Sequence, residues 1–169
     1  VRALAAGTIN VGFDGAKLTT DVGEALSELP FGGIILFGRN VRSLEQTRAL
    51  TDSIRERYDR DLPPIIAIDQ EGGRVARIRE GVEEIPAMMA VTATRDVGLA
   101  RKAGERIAFD LRRAGANVNF APVLDLALER MNTVIGWRAF AADPRLVTEF
   151  AVAVAEGMRA GGIVPTYKH

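Results

Sequence analysis

Short apolar runs alternate with amphipathic helices along this 169-residue chain, and that alternation constrains the fold more than any other feature. The runs are Gly33-Ile34-Ile35-Leu36-Phe37, Pro64-Ile65-Ile66-Ala67-Ile68, Asn117-Val118-Asn119-Phe120-Ala121-Pro122-Val123 and Gly162-Ile163-Val164-Pro165, with Thr8-Ile9-Asn10-Val11 as a weaker fifth. A strand apolar on both faces must be covered on both faces, which is the situation of parallel strands joined by crossover helices. The helices that would cover them are legible from their ends. Asp21 followed by Glu24 opens an amphipathic stretch through Leu26 and Leu29, stopped by Pro30. Ser43 and Gln46 predict a capping box ahead of Leu44, Thr47, Leu50, Ile54 and Tyr58. A third helix is expected from about Asp96, with Ala100, Ala103, Ile107 and Leu111 on one stripe and Gly115 as its stop. Asp143-Pro144 opens a fourth, which carries Leu146, Phe150, Val154 and Met158 inward and ends at Gly161-Gly162.

Both a dinucleotide-binding sheet and a (β/α)-barrel satisfy this alternation. The first would place a glycine fingerprint directly after its first strand, and Gly12 and Gly15 lack that spacing. Residues capable of chemistry instead follow several different strands: Asp69 after Ile68, Asp125 after Leu124, and Lys168-His169 after the last run. A site collected from many strand ends is the arrangement of a barrel. The expected class is therefore α/β, a (β/α)8 TIM-type barrel, of which this chain covers roughly the first five strands and four helices. Residues 1–169 are expected to be the N-terminal part of a single barrel domain, truncated after the fifth strand. Such a half-barrel would leave two open strand edges and an uncovered core face.

Composition excludes several classes of function. Acidic and basic residues number 22 each, so no charge field draws in nucleic acid or an anionic membrane, and neither is expected as a partner. The absence of cysteine removes disulfides, thiol chemistry and thiolate metal sites. A single histidine removes an all-histidine metal centre, and no carboxylate cluster replaces it, so no metal is expected. No apolar run is long enough to span a membrane.

The stretch Asp69-Gln70-Glu71-Gly72-Gly73-Arg74-Val75 carries the most chemical information. A buried strand delivers a carboxylate to the barrel mouth, and two glycines let the backbone turn tightly beneath a ligand. Carboxylates there accept from sugar hydroxyls, and arginines supply matching donors. Arg74 and Arg77 follow the turn, and one of them is expected to point inward and pair with the acids. For Asp69, ligand contact and loop bracing stand level; for Glu71 and Arg74 the bracing role, through salt bridges to Arg74, is preferred. The segment from Asn132 to Phe140 reads as a long, glycine-containing loop of the kind that often carries function. In it Arg138 is a candidate donor, Trp137 either stacks on a sugar ring or anchors the loop, and Phe140 anchors it. Lys168 and His169, two polar heads directly after a strand, point to ligand contact. Asp125 is expected to orient its neighbours or to cap a turn.

Five motifs then occur in one order: Gly33 to Asn40, Asp69 to Val75, Asn119 to Asp125, Ile135-Gly136-Trp137-Arg138-Ala139-Phe140, and Lys168-His169. Over nearly the whole chain this order resembles the family 3 glycoside hydrolases, in particular the bacterial β-N-acetylglucosaminidases of cell-wall recycling. The resemblance implies that Asp69, Arg77, Arg138, Lys168 and His169 bind the non-reducing N-acetylglucosamine through its ring hydroxyls. It implies a cytoplasmic enzyme, monomeric when full-length, that needs no cofactor and removes terminal β-linked N-acetylglucosamine from peptidoglycan-derived muropeptides. The family reaction is retaining hydrolysis through a covalent glycosyl-enzyme intermediate. An Asp is the nucleophile and, unusually, a His with a neighbouring Asp is the acid and base, where retaining enzymes normally pair two carboxylates about 5 Å apart. Neither catalytic residue falls within this chain; both are expected beyond His169. Trp137 departs from the family pattern, which more usually has a polar residue there. The competing readings are a family 3 β-glucosidase or phosphorylase, a non-catalytic sugar-binding fragment, and a barrel isomerase or aldolase with Lys168 as a Schiff-base lysine.

Overall fold

The computed structural model describes residues 2–29, 31–58 and 62–169. The strands are β1 (Asn10–Val11), β2 (Gly33–Leu36), β3 (Ile65–Ile68), β4 (Gln70–Gly72), β5 (Val75–Ala76), β6 (Val118–Asn119) and β7 (Val164–Pro165). The helices are α1 (Arg2–Ala6), α2 (Thr20–Glu28), α3 (Leu44–Arg55), α4 (Met88–Ala93), α5 (Val97–Arg113) and α6 (Pro144–Ala160). Five strands form one parallel sheet in the order β1-β2-β3-β6-β7. Each crossover adds its strand to the same edge, so the order never doubles back. A doubly wound sheet needs such a reversal, and a barrel arc forbids it. The five strands and four long helices expected of the arc are the ones found; α1, α4 and the antiparallel β4–β5 hairpin are additional.

The sheet's two faces are covered unequally. Ile34, Leu36, Ile66 and Ile68 alternate with residues of the opposite face and are fully buried in the core beneath the helices. Ile65 and Val164, which the register assigns to the opposite face, remain 38% and 59% exposed. That face is the inner wall of the arc. On the outer layer, α5 and α6 approach until their backbones touch. A Cβ on Gly104 would lie 2.1 Å from the Val154 carbonyl oxygen, and one on Gly157 would lie 2.2 Å from that of Arg101.

Several local expectations need correction. Ser43 Oγ does accept from Gln46 N at 3.1 Å, but the Gln46 side chain accepts from Arg42 N at 2.7 Å rather than from Ser43. Its amide nitrogen is drawn away to the carbonyls of Ala16 and Asn40, which tie down the preceding loops. Helix α2 begins one residue ahead of Asp21, and its expected stop at Pro30 lies outside the described residues. The run from Asn117 to Val123 is a regular strand only at Val118–Asn119, because beyond it Thr166 N is shared between the carbonyls of Asn119 and Ala121, which breaks the even ladder until Val123 pairs with Lys168. Beyond it, Leu124 N donates to Lys168 O at 2.7 Å, so the two segments stay together as far as Lys168. The other helix starts match their readings: the third helix opens at Asp96, which accepts from Gly98 and Leu99, and Asp143 accepts from Arg145 with Pro144 in the first turn.

Candidate functional site

The site begins with Gln70, whose environment sets the direction of its neighbours. Asn119, fully buried on β6, accepts from Gln70 N and donates to Gln70 O, both at 2.9 Å. The Gln70 side chain then donates to Ile78 O and accepts from the backbone N–H groups of Arg77 and Ile78. These bonds fold the segment back as the β4–β5 hairpin. The turn itself requires glycine: Gly72 and Gly73 have φ of 93° and 56°, and a Cβ on either would meet the backbone or side chain near Pro86 and Ala87 within 3 Å. With Gln70 pinned, Asp69 and Glu71 lie two residues apart and face the same side of the extended chain.

That side is a cleft of about 400 Å³ at the C-terminal ends of the strands. All five expected residues line it: Asp69 after β3, Arg77 after β5, Arg138 from the loop before α6, and Lys168 and His169 after β7. Glu71 joins them, with Val75 and Phe120 as apolar wall. Asp69 accepts from Lys168 Nζ at 2.7 Å and from Arg77 Nη2 at 3.2 Å. Glu71, its side chain only 3% exposed, accepts from Arg138 through Nε and Nη2, both at 2.8 Å, and is ion-paired with Lys168. Arg138 Nη2 lies 3.2 Å from His169 Nε2, and His169 Nδ1 lies 2.6 Å from Asp125 Oδ2. A guanidinium only donates, so Nε2 is the acceptor and the ring proton sits on Nδ1, donated to Asp125. The Ala121–Pro122 and Lys168–His169 peptide bonds are cis.

Burial pushes the Asp69 carboxyl up, but the hydrogen bonds and charges of Lys168 and Arg77 outweigh it and hold the group below the usual carboxylate value. Glu71 strengthens the already permanent cation of Arg138. The cleft wall holds two carboxylates and three cations, Asp69 and Glu71 against Arg77, Arg138 and Lys168, and a third carboxylate, Asp125, stands behind His169 and completes the balance of the network. It presents acceptors and donors side by side without net charge. Such a wall suits a neutral polyhydroxyl ligand, whereas a phosphate needs uncompensated donors. A Schiff-base lysine needs a neutral amine in an apolar or cationic setting; Lys168 instead sits between two carboxylates. Among the described residues no group of three or more His, Asp or Glu is arranged to hold a metal, and no helix is long and apolar enough to cross a membrane.

Two sequence readings are corrected here. Glu71 does not brace the loop through Arg74; its partners are Arg138 and Lys168, and Arg74 donates to the carbonyls of Thr133 and Val134. Trp137 does not anchor its loop, since it is 73% exposed, and it does not line the cleft; Phe140, 1% exposed, is the anchor. Glu71 is the residue that sequence reasoning left out of the site. Its signal was present in the two-residue spacing from Asp69 at the end of a strand.

Residues 5–169 match the model of the glycosyl hydrolase family 3 N-terminal domain. The chain is 41% identical over 169 residues to a β-hexosaminidase of Alkalilimnicola ehrlichii and 38% identical over 165 residues to one of Stenotrophomonas maltophilia. These alignments cover 96% and 94% of the chain, but it spans about half the length of the curated relatives, 48% in both cases. Among solved structures, a family 3 β-N-acetylglucosaminidase from a Paenibacillus species superposes with a TM-score of 0.95 at 33% identity, covering 100% of this chain and 32% of that one. NagZ from Neisseria gonorrhoeae, in complex with N-trifluoroacetyl-D-glucosamine, superposes with a TM-score of 0.89 at 34% identity, covering 96% and 49%.

Proposed function

The chain belongs to glycosyl hydrolase family 3, and on that premise we propose that it supplies the sugar-binding wall of a retaining β-N-acetylglucosaminidase. The observation that carries this reading is the charge-balanced cleft, in which Asp69, Arg77, Arg138, Lys168 and His169 meet at the strand ends. In this reading residues 1–169 are the N-terminal part of one barrel domain. Asp69 accepts from hydroxyls of the non-reducing N-acetylglucosamine, and Lys168 and Arg138 donate to its oxygens. Arg77 and Asp125 hold Asp69 and His169 in place. Binding energy gathered this way fixes the anomeric carbon for in-line attack, which is where orientation gains its rate.

The chemistry itself is assigned to the part of the relatives' length that this chain does not span. There an Asp attacks the anomeric carbon while a His protonates the departing oxygen, and water then releases the sugar as the same His removes its proton. The aglycone side is proposed to be a peptidoglycan-derived muropeptide, and the setting the cytoplasm. The gonococcal structure with its N-acylated glucosamine analogue supports the ligand class.

The test is turnover of 4-nitrophenyl N-acetyl-β-D-glucosaminide against 4-nitrophenyl β-D-glucoside by the full-length protein, with and without phosphate. Preference for the glucoside would overturn the sugar assignment. Phosphate-dependent turnover would replace hydrolysis by phosphorolysis.

A further inference from the structure

We propose that the β4–β5 hairpin is a clamp that positions Arg138, with Glu71 as its positioning residue and Arg74 as a second hold on the same loop. The inference deepens the sugar-binding reading and rests on it for its ligand. Between the bridge at Val123 and the start of α6, the chain forms a long loop that exposes Leu128, Met131, Val134 and Trp137. Phe140 anchors its C-terminal end, but the stretch from Leu128 to Trp137 buries little apolar surface and is not held by its own packing. Ala127 N closes the base of the loop on Ala141 O, and the bonds within the exposed stretch are local: Asn132 caps the N–H groups of Val134 and Ile135, and Arg138 N closes one turn on Ile135 O. Helix α4 lies beside that turn. Among the described residues, the hydrogen bonds that reach residues 132–138 from beyond the loop itself come from the hairpin and from His169. Arg74 holds the carbonyls of Thr133 and Val134, and Glu71 holds the Arg138 guanidinium bidentately along its Nε–Nη2 edge.

Donor accounting shows what the clamp achieves. An arginine has five N–H donors and a lysine three. Glu71 takes the Nε hydrogen and one on Nη2, His169 takes the other on Nη2, and Val134 O takes one on Nη1. One Nη1 hydrogen is left uncommitted. Lys168 donates one hydrogen to Asp69 and is ion-paired with Glu71, so of its three hydrogens at least one stays uncommitted. Glu71 thus fixes two cations in orientations that each leave a donor over, while the carboxylate itself is too buried to touch a ligand. Without its charge, Arg138 loses its two-point hold and Lys168 swings towards Asp69 alone.

The experiment compares wild type, Glu71→Gln and Arg74→Ala in the full-length protein by three readouts. These are N-acetylglucosamine affinity by calorimetry, thermal melting, and hydrogen exchange of residues 132–138 without ligand. Glu71→Gln is expected to raise Kd roughly 10- to 100-fold, the loss of one to two charge-assisted contacts, and to speed exchange in that segment. In an Arg138→Ala background the same substitution should add much less, because the residue it positions is gone. Arg74→Ala, an exposed position, should speed the same exchange and weaken binding severalfold. Exchange and affinity at wild-type values in Glu71→Gln would overturn the clamp, as would a lowered melting temperature with unchanged affinity and exchange, or effects additive with Arg138→Ala. If Glu71→Gln does not fold, Arg74→Ala decides by its exchange alone. If the wild type does not bind N-acetylglucosamine, the sugar reading fails while the exchange comparison still decides the clamp.

Discussion

Replacing Asp69 by Asn keeps the side chain's shape and removes its charge, which isolates what the carboxylate contributes to a ligand. A carboxylate offers about four lone-pair sites. Lys168 Nζ takes one at 2.7 Å and Arg77 Nη2 another at 3.2 Å, leaving about two for ligand hydroxyls. Asparagine keeps one acceptor oxygen and presents an NH2 group where the other stood, so one hydroxyl bond is lost. A hydrogen bond to a charged group contributes about 1.5–3 kcal/mol, and about 1.4 kcal/mol is tenfold in affinity. The Kd for N-acetylglucosamine should therefore rise roughly 10- to 100-fold, measured by calorimetry on the full-length protein near pH 7. A Kd within about twofold of wild type, in a variant that is folded at the assay temperature, refutes the placement of Asp69 on the ligand. The pH dependence supplies a second check. The folded carboxyl lies below its ordinary value despite burial, because Lys168 and Arg77 outweigh it. A group depressed in the folded state stabilises above its unfolded pKa, about 3.9, and that stability is lost as pH falls through the lower folded value. The melting difference between wild type and the Asn variant should thus be flat from about pH 5 to 8 and shrink only below about pH 4. A difference that fades between pH 8 and 6 would mean that another group carries it.

Three further predictions concern the frame around the site. Gly157→Ala sets a methyl 2.2 Å from the Arg101 carbonyl oxygen, so α5 and α6 must part at a cost of about 1–3 kcal/mol, seen as a lower urea midpoint; an unchanged midpoint would show that the helices separate freely. Phe140→Ala removes the loop's buried anchor and should cost about 3–5 kcal/mol by the same assay, with a loss under about 1 kcal/mol refuting the anchoring role. Trp137→Ala, at an exposed position outside the cleft, should leave stability within about 0.5 kcal/mol and N-acetylglucosamine affinity unchanged; a weaker Kd would mean that the indole reaches the sugar after all.

What could be read in the sequence divides along the range of the interactions. The five strands were legible because an apolar run covered on both faces has few other homes, and Asp96 and Asp143-Pro144 were legible because a cap acts within three residues of itself. The hairpin was not. Its polar residues Gln70 to Ala76 carry no strand signal, and its fold depends on Asn119, 49 residues away, which in its own run looked like an ordinary strand position. Helix α4 lacks a side-chain cap and is only six residues long, too short for a periodic stripe. The site was visible through residue types and motif order, but its wiring was not. Lys168 reaches Asp69 across 99 positions and Arg138 reaches Glu71 across 67, and no local pattern chooses between Arg74 and Arg138 as the partner of Glu71.

The interactions that sequence could not resolve are also the ones hardest to explain as stability. Taking charges out of water costs more than their attraction usually returns, and buried ion networks can often be replaced by apolar side chains without loss. The core here has no need of such a network; it is built from Ile34, Leu36, Ile66, Ile68, Phe140 and Phe150 beneath the helices. Six charges at the strand ends make sense only if their alignment serves something that enters the cleft. Their balance makes the alignment tolerable, since each acid is matched by a cation within about 3 Å or by His169. It also sets the selectivity: a charged ligand would upset the pairing, whereas a neutral sugar can use the leftover lone pairs and N–H groups without breaking any pair. Preorganisation at a cost in stability is the signature of a binding wall, and it makes Glu71, the most buried of the six, the residue on which binding and folding are most tightly joined, since its loss leaves Arg138 and Lys168 without their shared partner.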